Sequence, residues 1–240
     1  MIFELIKDIA KLSLIIAGLY FALGAYVRRK QPAWSEPVAK RRLTVLLILV
    51  LTVSGIKVIE DVLGRESGPF DEAILLFIRS HVPSTLTGFF EAVTFTGSSK
   101  VLVPLATAVT IALLCMRRRF EALLLAASVI SGATVVYVVK TLVGRDRPAL
   151  WETEWYSGSS FPSGHTLVVA AFATAATLCV SRIWPRARPF AVSITIFWIS
   201  LVALSRLVLG VHWPTDVLAA WCIGAFLPLA ISVALELRYA

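Results

Sequence analysis

Three short segments in the second half of the chain bring together residue types that seldom sit at the ends of apolar runs. They read Lys140-Thr-Leu-Val-Gly-Arg-Asp-Arg147-Pro148, then Pro162-Ser163-Gly164-His165, then Ser205-Arg206-Leu-Val-Leu-Gly-Val-His212-Trp-Pro-Thr-Asp216. Lys140, Arg147 and Arg206, the two histidines and the Asp216 carboxylate stand out among them. Phosphoryl transfer through a histidine needs this set. The transferring group spreads negative charge over its equatorial oxygens, and fixed cations aimed at those oxygens stabilise it. Lys140 offers a compact point charge, and Arg147 and Arg206 offer permanently charged forks. Each cation taken singly could instead be a snorkelling interface residue.

Pro162-Ser163-Gly164-His165 reads as a helix start. Ser163 suits an N-cap, and Gly164 lets a ligand approach the backbone closely. The free N–H groups of a helix start attract anions, and His165 then stands on the first turn. His212 and Asp216 are four apart, so a helical turn puts them on one face. A carboxylate there can fix the tautomer of the imidazole, although the pair could also be a structural hydrogen bond. Two histidines allow one nucleophile and one general acid. His212, which has the carboxylate, is the better nucleophile, and His165 the better acid. Ser205 either donates to a phosphate oxygen or caps a helix end. His81 has no such neighbours and reads as a loop residue.

The elements that position these residues must be membrane spans. The 240 residues are 58% hydrophobic and 16% charged, with a mean hydropathy of +0.83. That is more apolar than a soluble domain. A span needs ~20 apolar residues. The candidate runs are 9–27, 43–59, 101–116, 122–140, 163–184, 189–209 and 216–236. The expectation is one all-α domain over 1–240, a polytopic transmembrane helical bundle of six to seven spans, the first of which could instead lie along the interface. The stretch 60–100 is mixed. Phe70, Ile74, Leu75, Phe77 and Ile78 beside Asp71, Glu72 and Arg79 suit an amphipathic helix in the interface between spans 2 and 3. Pro83 ends it, and a second such stretch surrounds Leu86, Phe89, Phe90 and Val93.

Basic clusters set the orientation. Arg28, Arg29, Lys30, Lys40, Arg41, Arg42, Arg117, Arg118, Arg119, Arg182, Arg186, Arg188 and Arg238 make up more than half of the 23 Lys and Arg. Their loops and the C-terminus are expected in the cytoplasm. All three chemical segments (140–216) then fall on the opposite face. The net charge of +8 follows this topology, so no nucleic-acid partner is expected. Cys115, Cys179 and Cys222 lie inside apolar runs and read as packing residues, with no disulfide or zinc site. Trp151, Trp155, Trp184 and Trp213 fall near span ends, as interfacial indoles do. Trp198 and Trp221 read as packing within spans.

The three segments resemble the signature of the type 2 phosphatidic acid phosphatase family, also called haloperoxidase-like phosphatases: Lys-x6-Arg-Pro, Pro-Ser-Gly-His and Ser-Arg-x5-His-x3-Asp. Every fixed position is matched in order over 140–216. The resemblance implies an integral membrane enzyme that removes phosphate from lipid phosphates or diphosphates without a metal or cofactor. It implies that Lys140, Arg147 and Arg206 hold the phosphate with Ser163 and Gly164. It makes His212 the attacking residue that becomes phosphohistidine, Asp216 its support and His165 the leaving-group acid. Undecaprenyl diphosphate, phosphatidylglycerol phosphate and phosphatidic acid are the expected substrate types, reached from the bilayer. A bacterial inner membrane with a periplasmic site is the expected setting, and the oligomeric state is left open. Other readings are a lipid phosphotransferase passing the phosphate to a lipid such as lipid A, a vanadate-dependent haloperoxidase, and a lipid transporter with a dead site. The spans argue against the haloperoxidase, and the intact His165, His212 and Asp216 argue against the transporter.

Overall fold

The computed structural model describes residues 2–151 and 158–238, and among them the regular structure is entirely helical. Long apolar runs must satisfy their own backbone in a bilayer, and the helix does so. The helices are α1 (Ile2–Lys30), α2 (Ser35–Lys40), α3 (Arg42–Leu63), α4 (Gly68–His81), α5 (Thr87–Thr96), α6 (Ser99–Cys115), α7 (Arg119–Val143), α8 (Gly164–Ile183), α9 (Arg188–Val208) and α10 (Pro214–Arg238). Seven helical stretches among the described residues are long and apolar enough to cross a membrane: Lys7–Lys30, Arg42–Leu63, Ser84–Cys115, Arg119–Val143, Gly164–Ile183, Pro185–Val208 and Pro214–Leu237. Trp155 lies outside the described residues.

The third stretch differs from the expectation of a span at 101–116 preceded by an interfacial segment. The 17 residues of α6 rise only about 26 Å, short of a hydrocarbon core of about 30 Å. α5 supplies the rest: it buries Phe90, Val93 and Thr94 and packs on α9. Gly97 makes the join. A Cβ there would stand 3.0 Å from Val169 and 3.1 Å from Val202, so a side chain would have to push both valines aside by a few tenths of an ångström. α4 is the short helical segment between spans two and three. It turns Asp71 and Leu75 inward and leaves Phe70, Leu76 and Phe77 exposed. Asp71 therefore lies on the inward face and not on a wet one. His81 ends α4, stacked on Phe77, and is no loop residue.

α8 is the central helix, packed by α7, α9 and α10. Between apolar helices in lipid, small residues provide close backbone contact in place of a hydrophobic drive. Val169, Ala170, Ala171 and Ala175 on α8 are fully buried. Gly132 of α7 and Gly224 of α10 face this stripe. A Cβ on Gly224 would fall 2.4 Å from the Leu167 carbonyl oxygen and 2.7 Å from Ala170 Cβ. Gly224→Ala is therefore expected to force α10 away from α8 and cost about 1–3 kcal/mol. Thermal unfolding in detergent checks this; a variant melting with the parent protein would contradict the close crossing.

The basic loops gather at one end of the bundle. Arg41 before α3 and Arg182 of α8 both donate to the Glu236 carboxylate of α10, and Arg182 reaches Glu121 of α7 at 3.3 Å. The ends of α7 and α9 and the starts of α8 and α10 that carry the three chemical segments lie at the other end.

Candidate active site

Each chemical residue sits where a helix stops or starts. α7 ends at Gly144, whose φ of +61° is open to glycine at no steric cost. The chain then turns through Arg145, Asp146 and Arg147. The segment 158–162 is laced to this turn. Ser160 N–H donates to Arg145 O at 2.8 Å, and Arg145 N–H donates to Ser159 Oγ at 3.0 Å. Lys140 Nζ donates to Ser159 O. Arg147 donates to Val211 O at 2.7 Å and to Gly158 O at 3.2 Å, which fixes its guanidinium beside the α9–α10 turn. Gly210 makes that turn possible, with a φ of +67° and Trp151 ring atoms 2.6 Å from where a Cβ would be.

Ser163 is fully buried as the N-cap of α8. Its hydroxyl meets Thr166 Oγ1 at 3.1 Å and its N–H donates to Asp216 O at 3.2 Å. Ser163 thus ties α8 to α10, while Gly164 and His165 open the first turn. His165 is half-buried. It lines a cavity of about 470 Å³ together with Glu91, Thr94, Phe95, Ser98 and Leu209. Arg206 is 1% exposed and donates to Thr94 Oγ1 of α5 at 2.6 Å. Ser205 is buried, with its single proton committed to Val202 O at 2.6 Å. It belongs to the wall of α9.

His212 is buried in the turn before α10. Its Nδ1 faces Asp216 Oδ2 at 3.4 Å, and its Nε2 lies 3.5 Å from Arg147 Nη1. The carboxylate side thus favours the proton on Nδ1 and leaves the Nε2 lone pair towards the cations. Arg206 and Arg147 are within electrostatic reach of both histidines. Burial pushes the His212 imidazole down to about 4, opposed by its hydrogen bond to Asp216 and reinforced by Arg206. His212 is therefore uncharged at neutral pH, the form in which a nitrogen can attack phosphorus.

Five further residues belong to the site that spacing alone did not single out. Arg145 Nη1 donates to Asp216 Oδ1 at 2.6 Å and to Thr215 Oγ1 at 2.9 Å; its Nη2 donates to Asp71 Oδ2 at 2.7 Å and to Ser67 Oγ at 3.2 Å. Thr94 is the partner of Arg206. The only sequence signal was an arginine inside the Lys-x6-Arg spacer and an aspartate in register with Leu75.

A family model described as PAP2 superfamily matches residues 121–239. Phosphatidylglycerophosphatase B of Escherichia coli (strain K12) is 42% identical over 74 residues, which cover 31% of this chain and 27% of that protein. The chain thus aligns with about a quarter of the length of that relative. An undecaprenyl-diphosphatase of Sulfolobus acidocaldarius is 27% identical over 198 residues, or 80% of this chain and 88% of that one. A solved transmembrane PAP2 type phosphatidylglycerolphosphate phosphatase from Bacillus subtilis superposes with a TM-score of 0.68 at 22% identity, covering 78% of this chain and 98% of that chain. The matched region runs from α7 to α10 and contains every helix end that builds the cationic pocket around His212; the chain belongs to the PAP2 superfamily.

Proposed function

We propose that this protein is an integral membrane lipid phosphatase that hydrolyses a lipid phosphate or diphosphate through a phosphohistidine on His212. The orientation of His212 carries the reading: Nδ1 towards Asp216, Nε2 towards Arg147, in a pocket that also holds Arg206 and the start of α8. Lys140, Arg147 and Arg206 hold the phosphate oxygens, with the first-turn N–H groups of α8 beside them. The Nε2 lone pair attacks phosphorus. The bond from phosphorus to the lipid-side oxygen breaks, and that oxygen takes the proton of His165. Water then attacks the phosphohistidine, His165 accepts its proton, and the P–N bond breaks to release phosphate. The cavity beside His165 receives the leaving part of the lipid.

The basic loops near 28–42, 117–121 and 185–188 support a cytoplasmic position for that end. The site then faces the extracytoplasmic side of a bacterial inner membrane, where the headgroup meets the cations and the chains stay in the bilayer. Undecaprenyl diphosphate, phosphatidylglycerol phosphate and phosphatidic acid are the substrate types. The names of the E. coli and S. acidocaldarius relatives support the first two.

The test is phosphate release by purified protein in detergent, in excess EDTA, across these lipids. Release from at least one lipid, unchanged by EDTA, is expected. Loss of release in EDTA would contradict the mechanism, and no release until a lipid acceptor is added would make the protein a phosphotransferase. The same assay yields the pH dependence. Protonated His212 cannot attack, so the acid limb of kcat/KM should lie at about 4, while loss of the His165 proton sets a separate limb on the alkaline side. An acid limb near the free-histidine value of about 6.5 would mean that the nucleophile is solvated and not buried.

A further inference from the structure

Asp71 and Arg145 are the most deeply embedded ionic groups at this end of the bundle that the proposed chemistry leaves unused. Asp71 and Asp216 are both fully buried, on α4 and α10, and the Arg145 guanidinium lies between them with one terminal nitrogen on each. Asp71 accepts three hydrogen bonds, with both oxygens engaged. Its Oδ1 accepts the Thr215 N–H at 2.9 Å, and its Oδ2 accepts Thr215 Oγ1 at 2.7 Å as well as Arg145. Asp216 is divided just as strictly. Oδ1 is taken by Arg145, and Oδ2 accepts the Trp213 N–H at 2.9 Å and faces His212 Nδ1. The Arg145 contact on one side and the Trp213 N–H on the other hold the plane of the Asp216 carboxylate towards His212. The Trp213 ring also lies 5.6 Å from the Arg145 guanidinium and its Nε1 donates to Asp146 O at 2.9 Å, so the turn bearing His212 is held from the same strand of chain.

We propose that Asp71 and Arg145 are positioning residues for catalysis: Asp71 on α4 aims Arg145, Arg145 aims the Asp216 carboxylate, and Asp216 aims the His212 imidazole. α4 is thereby part of the catalytic centre and not only a cover over it. The inference rests on His212 being the nucleophile. The arrangement also divides the charge of Arg145 between two carboxylates. Asp71 keeps Arg145 from neutralising Asp216 alone, so Asp216 retains charge to stabilise the imidazolium-like state of His212 as its nitrogen bonds phosphorus.

The test compares Asp71→Asn, Arg145→Lys, Asp216→Asn and the double variant Asp71→Asn/Asp216→Asn, assayed for kcat, KM and melting temperature on the best lipid substrate. Asp71→Asn should lower kcat on the order of 10–100-fold, as loss of an outer partner of a functional imidazole does, with KM within about twofold because neither residue touches the phosphate. In the Asp216→Asn background the same change should cost nearly nothing, since the chain of contacts is already cut. Arg145→Lys keeps the charge without the fork. Its loss should fall on kcat and not on KM, and should be smaller than that of Arg145→Met assayed beside it. Arg145→Lys serves as the second variant if Asp71→Asn is poorly expressed. A lowered melting temperature with unchanged kcat, or effects that multiply in full in the double variant, would overturn the proposal. Failure of the parent protein to form phosphohistidine would instead sink the reading of His212 on which it stands.

Discussion

Replacing His212 with alanine should reduce turnover about 10⁴-fold or more, the scale at which a covalent nucleophile is lost. Water cannot take its place easily. His212 is buried, and its Nε2 alone carries a lone pair directed at the cationic pocket beside Arg147. His165 stands on another helix and lines the cavity on the leaving-group side, so it should not inherit the role. The two histidines separate by leaving group. An aryl phosphate leaves without needing a proton, so it should recover much of the activity of His165→Ala and none of that of His212→Ala. Steady-state rates on a lipid phosphate and on the aryl ester check both. Recovery of His212→Ala by the aryl ester would exchange the two roles.

Asp216→Asn should be nearly as damaging, about 10³–10⁴-fold in kcat, although the new side chain has almost the same shape. Its neutral amide offers an N–H₂ group where the carboxylate accepted. If the amide nitrogen faces His212 Nδ1, the proton is driven to Nε2 and the attacking lone pair disappears. If it faces Arg145, two donors meet where Oδ1 had accepted at 2.6 Å. Either orientation breaks one contact of a buried carboxylate. KM should change little, because Asp216 holds His212 and Arg145 and not the phosphate. Steady-state kinetics decide it: a loss of only about tenfold, or a loss confined to KM, would remove Asp216 from tautomer control.

The chemical core was legible because it is written at helix ends. Lys140, Arg147, Ser163, Gly164, His165, Arg206, His212 and Asp216 each lie within a turn or a short loop of a span boundary, and boundaries follow from local hydropathy. Their partners are not local. Thr94 meets Arg206 across 112 positions, and Asp71 meets Thr215 across 144. No periodicity reports such distances. Asp71 reads as an ordinary polar residue on an amphipathic helix until the fold shows that Arg145 and Thr215 take up its charge. The join of α5 to α6 was hidden for a related reason. Gly97, Ser98, Ser99 and Lys100 look like the end of an interfacial segment, yet Gly97 packs closely against Val169 and Val202, which a side chain would crowd. Ser205 reads from its spacing as either a donor to a phosphate oxygen or a helix cap; its hydroxyl is bonded to Val202 O within its own helix, a choice that spacing does not report.

The most direct test of the account is to trap the phosphoenzyme. Purified protein is mixed with a lipid phosphate bearing a radioactive phosphoryl group, quenched early in base, digested and mapped. The account predicts an alkali-stable, acid-labile label on the peptide containing His212, absent from His212→Ala and present in His165→Ala with the aryl ester. Label on His165, or full turnover with no labelled histidine at any quench time, would contradict it.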